Sequence, residues 1–218
     1  MSMQRMLRMD WTKELLLDCI KKTTTLLKTN IIYPLSNIIK SIFGAGKCEK
    51  VIFLDFDGVL ATEDYTDELL TTGQKIKDKF GTLFNPNCVN WLEWIISQTN
   101  AQIVITSSWK NYLSQWSIVR MWKCRNMPGE IIGVTSSFSI YRGDEIDNWL
   151  SKHPQVINYV IIDDMDYKQF RQEQGAHLVT TNHFSGLDKT SAYDSVRILN
   201  KPESRGLSIK EKGNHRFW

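Results

Sequence analysis

The sequence predicts an α/β protein with a Rossmann-like, doubly wound parallel sheet, and three observations support this fold class. Five short apolar runs recur between residues 51 and 180. Amphipathic segments with helical spacing separate these runs, as is typical of a parallel sheet covered by helices on both faces. Carboxylates follow two of the runs, at the strand ends where an open parallel sheet binds its ligands. We therefore expect the functional groups along one edge of the sheet.

The predicted elements follow from the spacing of apolar residues. Strands are predicted at 51–54, 102–105, 131–134, 159–162 and 177–180. Helices are predicted at about 86–99, 110–122, 143–152 and 188–200. The segment 61–85, between the first strand and the first of these helices, is charged and too short for a large lid domain. We expect it to form a minimal cap.

The chain divides into three predicted parts: an N-terminal helical extension at 1–48, a catalytic domain at 49–200 and a basic tail at 201–218. Residues 10–43 have a helical apolar spacing that Pro34 interrupts. A basic amphipathic helix pair of this kind either contacts a protein partner or a membrane surface, or packs on its own domain. Both interpretations stay open.

Charge is distributed unevenly along the 218 residues. Residues 1–50 hold nine Lys and Arg against four Asp and Glu, residues 51–200 hold thirteen against eighteen, and residues 201–218 hold five against two. An acidic middle is consistent with a bound cation, and basic ends are consistent with attraction to a polyanion or to anionic lipid. Solvated helix faces and a frayed tail are the alternative interpretation of the ends.

The cysteines and the hydropathy argue against several classes of protein. Cys19, Cys48, Cys88 and Cys124 are far apart and form no C-x-x-C pair, which argues against a zinc site and a disulfide framework. No stretch reaches the roughly 18–20 apolar residues of a membrane span, and the start of the chain lacks the pattern of a secretory signal. A cytoplasmic location, which is reducing, is therefore expected.

The stretch VIFLDFDGVL places two carboxylates, Asp55 and Asp57, at the end of a buried strand. Burying a carboxylate is costly unless a cation meets it, so this strand either ends in water or contributes to a metal site. Asp163 and Asp164 follow the fourth apolar run. Convergent carboxylates repel one another unless a hard cation binds, and oxygen ligands of this kind suit Mg²⁺.

The residue types around these carboxylates suit phosphoryl transfer. Asp55 can attack phosphorus and form an acyl phosphate, and Asp57 can protonate the leaving oxygen and then take a proton from water. Gly58 allows a sharp turn beside the phosphate. Thr106, after the second run, can donate its hydroxyl to a phosphoryl oxygen. Arg142, at the start of a predicted helix, can neutralise the growing negative charge.

Four signals in chain order resemble the haloacid dehalogenase (HAD) superfamily of phosphatases: FLDFDGVL, ITSSW, Arg142 and VIIDDMD. Over about 51–200 the chain is similar, more narrowly, to the HAD domain of bacterial multidomain RNA-repair proteins. The stretches that carry this narrower similarity are ITSSWK, RGDEIDNWL, YVIIDDMD and HLVTTNHFSGL. In the last of them Asn182 stands where we would expect an aspartate, which is a departure from the pattern.

The resemblance implies roles for the matching residues. Asp55 is the implied nucleophile and Asp57 the implied acid and base. The implied phosphate ligand is Thr106, with Ser107 as the alternative. The implied cation is Arg142, although the superfamily more often has a lysine there. Lys110 or Lys168 is the alternative to Arg142 as this cation. The residues expected to contact substrate are Gly58, Ser107, Lys110 and His183.

The resemblance also implies a cofactor and its ligands. The cofactor is Mg²⁺, and the implied ligands are Asp55, the backbone carbonyl of Asp57, Asp163 and Asp164. Trp109, beside the second motif, either stacks on a base of a bound nucleic acid or packs in the core.

The expected function is therefore a Mg²⁺-dependent phosphatase that acts on an RNA or DNA end or on a nucleotide. A small cap leaves the site open, which admits the end of a polymer. Two alternatives remain open. One is a phosphatase for small metabolites, and the other is a non-catalytic interaction protein that retains the fold and works through residues 10–43.

Overall fold

The structure, a computed structural model, describes residues 50–201. Its strands are β1 (Lys50–Leu54), β2 (Lys77–Asp78), β3 (Gly81–Thr82), β4 (Gln102–Ile105), β5 (Ile131–Val134), β6 (Asn158–Asp163) and β7 (Leu178–Thr180). Its α-helices are α1 (Glu63–Thr71), α2 (Pro86–Thr99), α3 (Gln115–Cys124), α4 (Arg142–Ser151) and α5 (Lys189–Leu199). Short 3₁₀ helices lie at Ser108–Asn111, Tyr167–Gln169 and Gln172–His177.

Part of the predicted organisation lies outside the described residues. The helices predicted within 10–43 and the basic tail after residue 201 belong to this part. The domain limits at 48 and 200 and the proposed contact of residues 10–43 with a partner or membrane stay predictions. Within the described range 50–201, no helix is long and apolar enough to cross a membrane.

Five parallel strands form the main sheet in the order β5-β4-β1-β6-β7. The chain runs outward from β1 to β4 and β5, then returns to the other side of β1 for β6 and β7. This reversal is the doubly wound arrangement that the sequence predicts, and the predicted fold class is confirmed. The order reverses between β1 and β6, so their carboxyl ends border the crevice in which ligands of such sheets bind.

The helices cover both faces of the sheet, as expected for a parallel sheet. Alternate residues of β1 point to opposite faces: Val51 and Phe53 pack in a core cluster with α4, and Ile52 and Leu54 pack in one with α2, α3 and α5. All four side chains are fully buried. Burying such a side chain stabilises the fold by roughly 1.5–3 kcal/mol.

The cap segment 61–85 contains structure that the sequence pattern did not predict. Helix α1 begins after Thr62, whose hydroxyl accepts a hydrogen bond from the backbone N–H of Tyr65. Strands β2 and β3 form a small antiparallel hairpin. Helix α3 also begins later than the predicted residue 110, because Ser114 caps it by accepting a hydrogen bond from the backbone N–H of Ser117.

Candidate active site

Asp55 and Asp163, at the ends of adjacent strands, share one cation. Asp55 follows β1 directly, and Asp163 is the last residue of β6. Arg142, the first residue of α4, places its Nη1 2.6 Å from Oδ2 of Asp55 and 2.5 Å from Oδ2 of Asp163. Burial lowers the pKa of Arg142, but the two carboxylates raise it more, so its net pKa lies above the ordinary value. The guanidinium therefore stays charged between the two strands.

Asp164 joins these two carboxylates to form a candidate metal centre. One oxygen from each of Asp55, Asp163 and Asp164 lies within 4.8 Å of the others. Burial, and then the neighbouring Asp55, raise the pKa of Asp163 above its ordinary value, and Arg142 opposes this only in part. Three convergent carboxylate oxygens with an excess of negative charge fit a hard divalent cation such as Mg²⁺.

Asp57 lies beside this group and contacts a tryptophan. Nε1 of Trp109 donates to both carboxylate oxygens of Asp57, at 3.2 Å to Oδ1 and 3.0 Å to Oδ2. Burial and the nearby Asp55 raise the pKa of Asp57, while the bond from Trp109 lowers it. The net shift is upward, which is consistent with the acid and base role that the resemblance implies for Asp57.

Thr106 carries a fully buried hydroxyl for which the described part of the chain provides no hydrogen-bond partner. It follows β4 and lines a cavity of ≈ 230 Å³ together with Lys110, Arg142 and Glu145. Leaving a buried hydroxyl unpaired costs about 1–3 kcal/mol. A phosphoryl oxygen bound in this cavity would satisfy it.

Ser107, the alternative phosphate ligand, has a local structural partner. Its hydroxyl accepts a hydrogen bond from the backbone N–H of Trp109 at 3.4 Å and caps the short helix Ser108–Asn111. Ser107 is fully buried. The structure thus brings Thr106 to the cavity and assigns the Ser107 hydroxyl to the backbone.

Lys110 lines the cavity, but its ammonium group is bound to protein atoms. Nζ pairs with the carboxylate of Glu145 and donates to Oγ1 of Thr135 at 2.8 Å and to the carbonyl oxygen of Thr106 at 3.1 Å. These contacts use the three donors that an ammonium group has. Burial lowers the pKa of Lys110, and Glu145 opposes that effect.

The three side chains predicted as alternatives for the cation at the site therefore have different surroundings. Arg142 contacts Asp55, whereas Lys110 contacts Glu145. Lys168 is exposed, with its Nζ 5.9 Å from the centre of the Tyr167 ring. Geometry thus places Arg142, not either lysine, at the candidate nucleophile.

Gly58 and His183 lie on the cap side of the site. Gly58 has a φ of +67°, and a Cβ there would lie 2.1 Å from Oδ2 of Asp164, so only glycine fits. His183 joins Asp164 to Glu63 of α1, with Nδ1 2.6 Å from Oδ2 of Asp164 and Nε2 2.9 Å from Oε1 of Glu63. The pKa of His183 lies above its ordinary value, chiefly because of the hydrogen bond to Asp164. Asp57, Gly58, Glu63 and His183 line an open groove of ≈ 300 Å³.

Three contacts at the site were not predicted from the sequence. Glu63 and Glu145 were not singled out, and Trp109 was not linked to Asp57. A signal exists for Glu145, because it lies three residues after Arg142 and so occupies the same helix face one turn later. No comparable local signal exists for Glu63 or for the contact between Trp109 and Asp57, which joins residues 52 positions apart.

Comparisons with known proteins identify the family. The family model described as the HAD domain in Swiss Army Knife RNA repair proteins matches residues 51–192. Because this match spans well over half of the chain, the chain belongs to that family, and the predicted resemblance to the HAD superfamily is confirmed.

A search of the curated proteins finds no match. Among solved structures the chain is similar to a hydrolase, a haloacid dehalogenase-like family protein from Streptococcus pneumoniae. The sequence identity is 13%, the TM-score is 0.41, and the alignment covers 77% of this chain and 99% of that chain. The sheet order and the family match show the fold.

Proposed function

We propose that this HAD domain is a Mg²⁺-dependent phosphatase that acts through an aspartyl phosphate on Asp55. The observation that supports this most is that three groups lie together at the edge of the sheet where the strands end. These groups are the buried carboxylate of Asp55, the guanidinium of Arg142 and the unpartnered hydroxyl of Thr106. They correspond to a nucleophile, a charge-neutralising cation and a donor for a phosphoryl oxygen.

The proposed reaction has two steps. A carboxylate oxygen of Asp55 forms a bond to phosphorus while the bond to the leaving oxygen breaks, and Asp57 gives its proton to that oxygen. A water molecule then attacks phosphorus and loses a proton to the Asp57 carboxylate. The bond between Asp55 and phosphorus breaks, which releases phosphate and restores both aspartates. Arg142 and Thr106 bind phosphoryl oxygens throughout.

Asp55, Asp163 and Asp164 would hold the magnesium ion, with the Asp57 carbonyl as the further ligand that the family resemblance implies. When bound, Mg²⁺ supplies positive charge to the phosphoryl oxygens and allows an anionic nucleophile to approach an anionic substrate. Arg142 neutralises part of the carboxylate charge on its own, which leaves an excess for the metal ion to balance.

For the substrate we propose a phosphate at the end of an RNA or DNA strand, or on a nucleotide. The matched family model is described by its occurrence in RNA repair proteins. The cap consists of α1 and the β2–β3 hairpin, which is small. Exposed aromatic and apolar side chains lie in the segments that follow β4, β5 and β6, where bases could stack: Tyr112, Phe138, Ile140, Tyr141 and Tyr167.

Hydrolysis of a generic aryl phosphate tests the catalytic part of this proposal. We expect turnover with Mg²⁺, loss of turnover with EDTA, and loss of turnover in Asp55→Asn. Turnover that persists in Asp55→Asn would contradict the mechanism. If no phosphate ester is hydrolysed, including phosphorylated oligonucleotide ends, the chain is a non-catalytic protein that retains the fold.

A substrate comparison tests the second part. Oligonucleotides with a 5′- or a 3′-phosphate, free nucleotides and sugar phosphates are compared by kcat/KM. We expect the oligonucleotides or nucleotides to be preferred, and the rate on oligonucleotides to fall as salt concentration rises. A preference for sugar phosphates would instead support the small-metabolite phosphatase.

A further inference from the structure

Trp109 and Trp122 lie in the same core cluster, but their indole N–H groups have different partners. Both side chains are 3% exposed, and both rings pack near Phe56 and Phe84. The N–H of Trp122 donates to the backbone carbonyl of Pro128 at 3.0 Å. The N–H of Trp109 donates to the side chain of Asp57. If Trp109 served only to pack the core, a backbone carbonyl would be a sufficient partner for its N–H, as it is for Trp122.

The ring of Trp109 is held in place from several sides. Its centre lies 5.3 Å from that of Phe56 and 5.8 Å from that of Phe84. At Gly81, in the cap hairpin, a Cβ would lie 2.8 Å from the ring, so the hairpin backbone lies directly against it. A ring packed this closely cannot turn without displacing its neighbours. The position of the N–H is therefore set by the core and the cap.

We propose that Trp109 is a positioning residue for Asp57, and this inference rests on the proposed function. The N–H holds the carboxyl group of Asp57 in one orientation beside Asp55. It also stabilises the carboxylate that forms when Asp57 passes its proton to the leaving oxygen, because a hydrogen bond to an ionised acceptor is stronger than one to a neutral group. No bond to Trp109 forms or breaks in the reaction, and its proton stays on the indole nitrogen.

A positioning role predicts a dependence of the rate on the leaving group that a packing role alone does not predict. A weakly basic leaving group, such as 4-nitrophenolate, departs with little help from an acid. A strongly basic alkoxide, such as the ribose oxygen of a nucleotide, needs the proton of Asp57. Loss of the Trp109 N–H should therefore slow hydrolysis of alkyl phosphates much more than hydrolysis of aryl phosphates.

The experiment compares Trp109→Phe with Trp122→Phe, a matched control that loses an indole from the same cluster. For each protein, kcat/KM is measured on 4-nitrophenyl phosphate and on a nucleoside monophosphate, because this ratio reports the first step, whereas hydrolysis of the aspartyl phosphate is common to both esters. Thermal unfolding confirms that each protein is folded. We expect Trp109→Phe to lower kcat/KM on the nucleotide by about 10- to 100-fold, which is less than the roughly 10²- to 10⁴-fold of a complete loss of acid–base catalysis because Asp57 itself remains. Its kcat/KM on the aryl ester should change by about threefold or less. Trp122→Phe should change both rates by the same factor.

A second variant removes the donor without leaving a cavity. Replacing Trp109 by 3-benzothienylalanine keeps the shape of the indole and substitutes sulfur for the N–H group. The same loss on the nucleotide alone is expected. Equal loss on both substrates, or no loss on either, would overturn the inference even if Trp109→Phe fails to fold.

The variant Asp57→Asn distinguishes a failure of this inference from a failure of the proposed function. If Asp57→Asn slows the nucleotide selectively and the Trp109 variants do not, Asp57 is the acid but Trp109 does not position it. If Asp57→Asn has no such selectivity, the proposed role of Asp57 fails, and the inference fails with it. If the unaltered protein hydrolyses neither of these esters nor a phosphorylated oligonucleotide end, the proposed function itself is contradicted.

Discussion

Two buried ion pairs lie at the same edge of the sheet, and their charges balance differently. Arg142 and Lys110 are similarly buried, with side chains 9% and 7% exposed. Lys110 meets one carboxylate, that of Glu145, and its other donors go to neutral oxygens. Arg142 meets two carboxylates, and Asp164 lies beside them. The lysine pair is balanced, as a structural ion pair would be, while the arginine group has an excess of negative charge, as the proposed metal centre requires.

The largest expected difference between the two pairs is in activity. Arg142→Met removes the cation at Asp55 and should lower kcat by about 10²–10³-fold, as loss of a preorganised transition-state donor does. Lys110→Met should lose much less activity when it is assayed at a temperature where it is folded. Steady-state rates on an aryl phosphate measure both. Equal losses would mean that the lysine pair is not merely structural.

A second difference is expected in stability. Lys110→Met leaves the buried Glu145 carboxylate unpaired and should destabilise the fold by about 3–5 kcal/mol. The double variant Lys110→Met, Glu145→Met removes both charges and should recover much of that loss. Urea unfolding gives the free energies. If the double variant is no more stable than the single one, the cost comes from packing and not from the unpaired charge.

Metal binding should stabilise the fold through the carboxylates near Arg142 and not through the pair of Lys110 and Glu145. A Mg²⁺ concentration of about 100 times its Kd would stabilise the folded state by about 2.7 kcal/mol. Asp164→Asn should shrink the resulting rise in Tm, because it removes a proposed ligand. The rise should persist in Lys110→Met. A Tm that does not respond to Mg²⁺ in the unaltered protein would count against the metal centre.

The smallest expected effect concerns Thr106, which lines a cavity together with Lys110 and Arg142. Thr106→Val replaces an unpartnered buried hydroxyl by a methyl group and should leave stability unchanged or raise it by about 1 kcal/mol. The same change should raise KM or lower kcat, because a phosphoryl oxygen loses a donor. Thermal unfolding and steady-state kinetics check the two parts. A clear loss of stability would show that the hydroxyl has a structural partner.

The contrast between the two pairs also shows what the sequence could predict. The apolar runs located the five main strands to within a residue or so at each end, because a strand buried on both faces has a continuous apolar signature. Asp55, Asp163 and Arg142 could be expected at one edge, because parallel strands end together and α4 begins there. These are consequences of local pattern and of fold class.

The remaining contacts depend on the folded structure. Lys110 and Glu145 are 35 residues apart, and Trp109 and Asp57 are 52 apart. Nothing in either local stretch indicates which partner the side chain will meet. Helix α1 and the β2–β3 hairpin were not predicted because a charged segment has no clear periodicity, and two-residue strands have too little pattern to detect.

The most direct test of the central claim is mass spectrometry of the protein after a short reaction with substrate and an acid quench. We expect a phosphoryl group on the peptide that contains Asp55, with Mg²⁺ present, and no such adduct in Asp55→Asn. Hydrolysis without an adduct on Asp55, continuing in the Asp55→Asn variant, would contradict the assignment of this residue as the nucleophile.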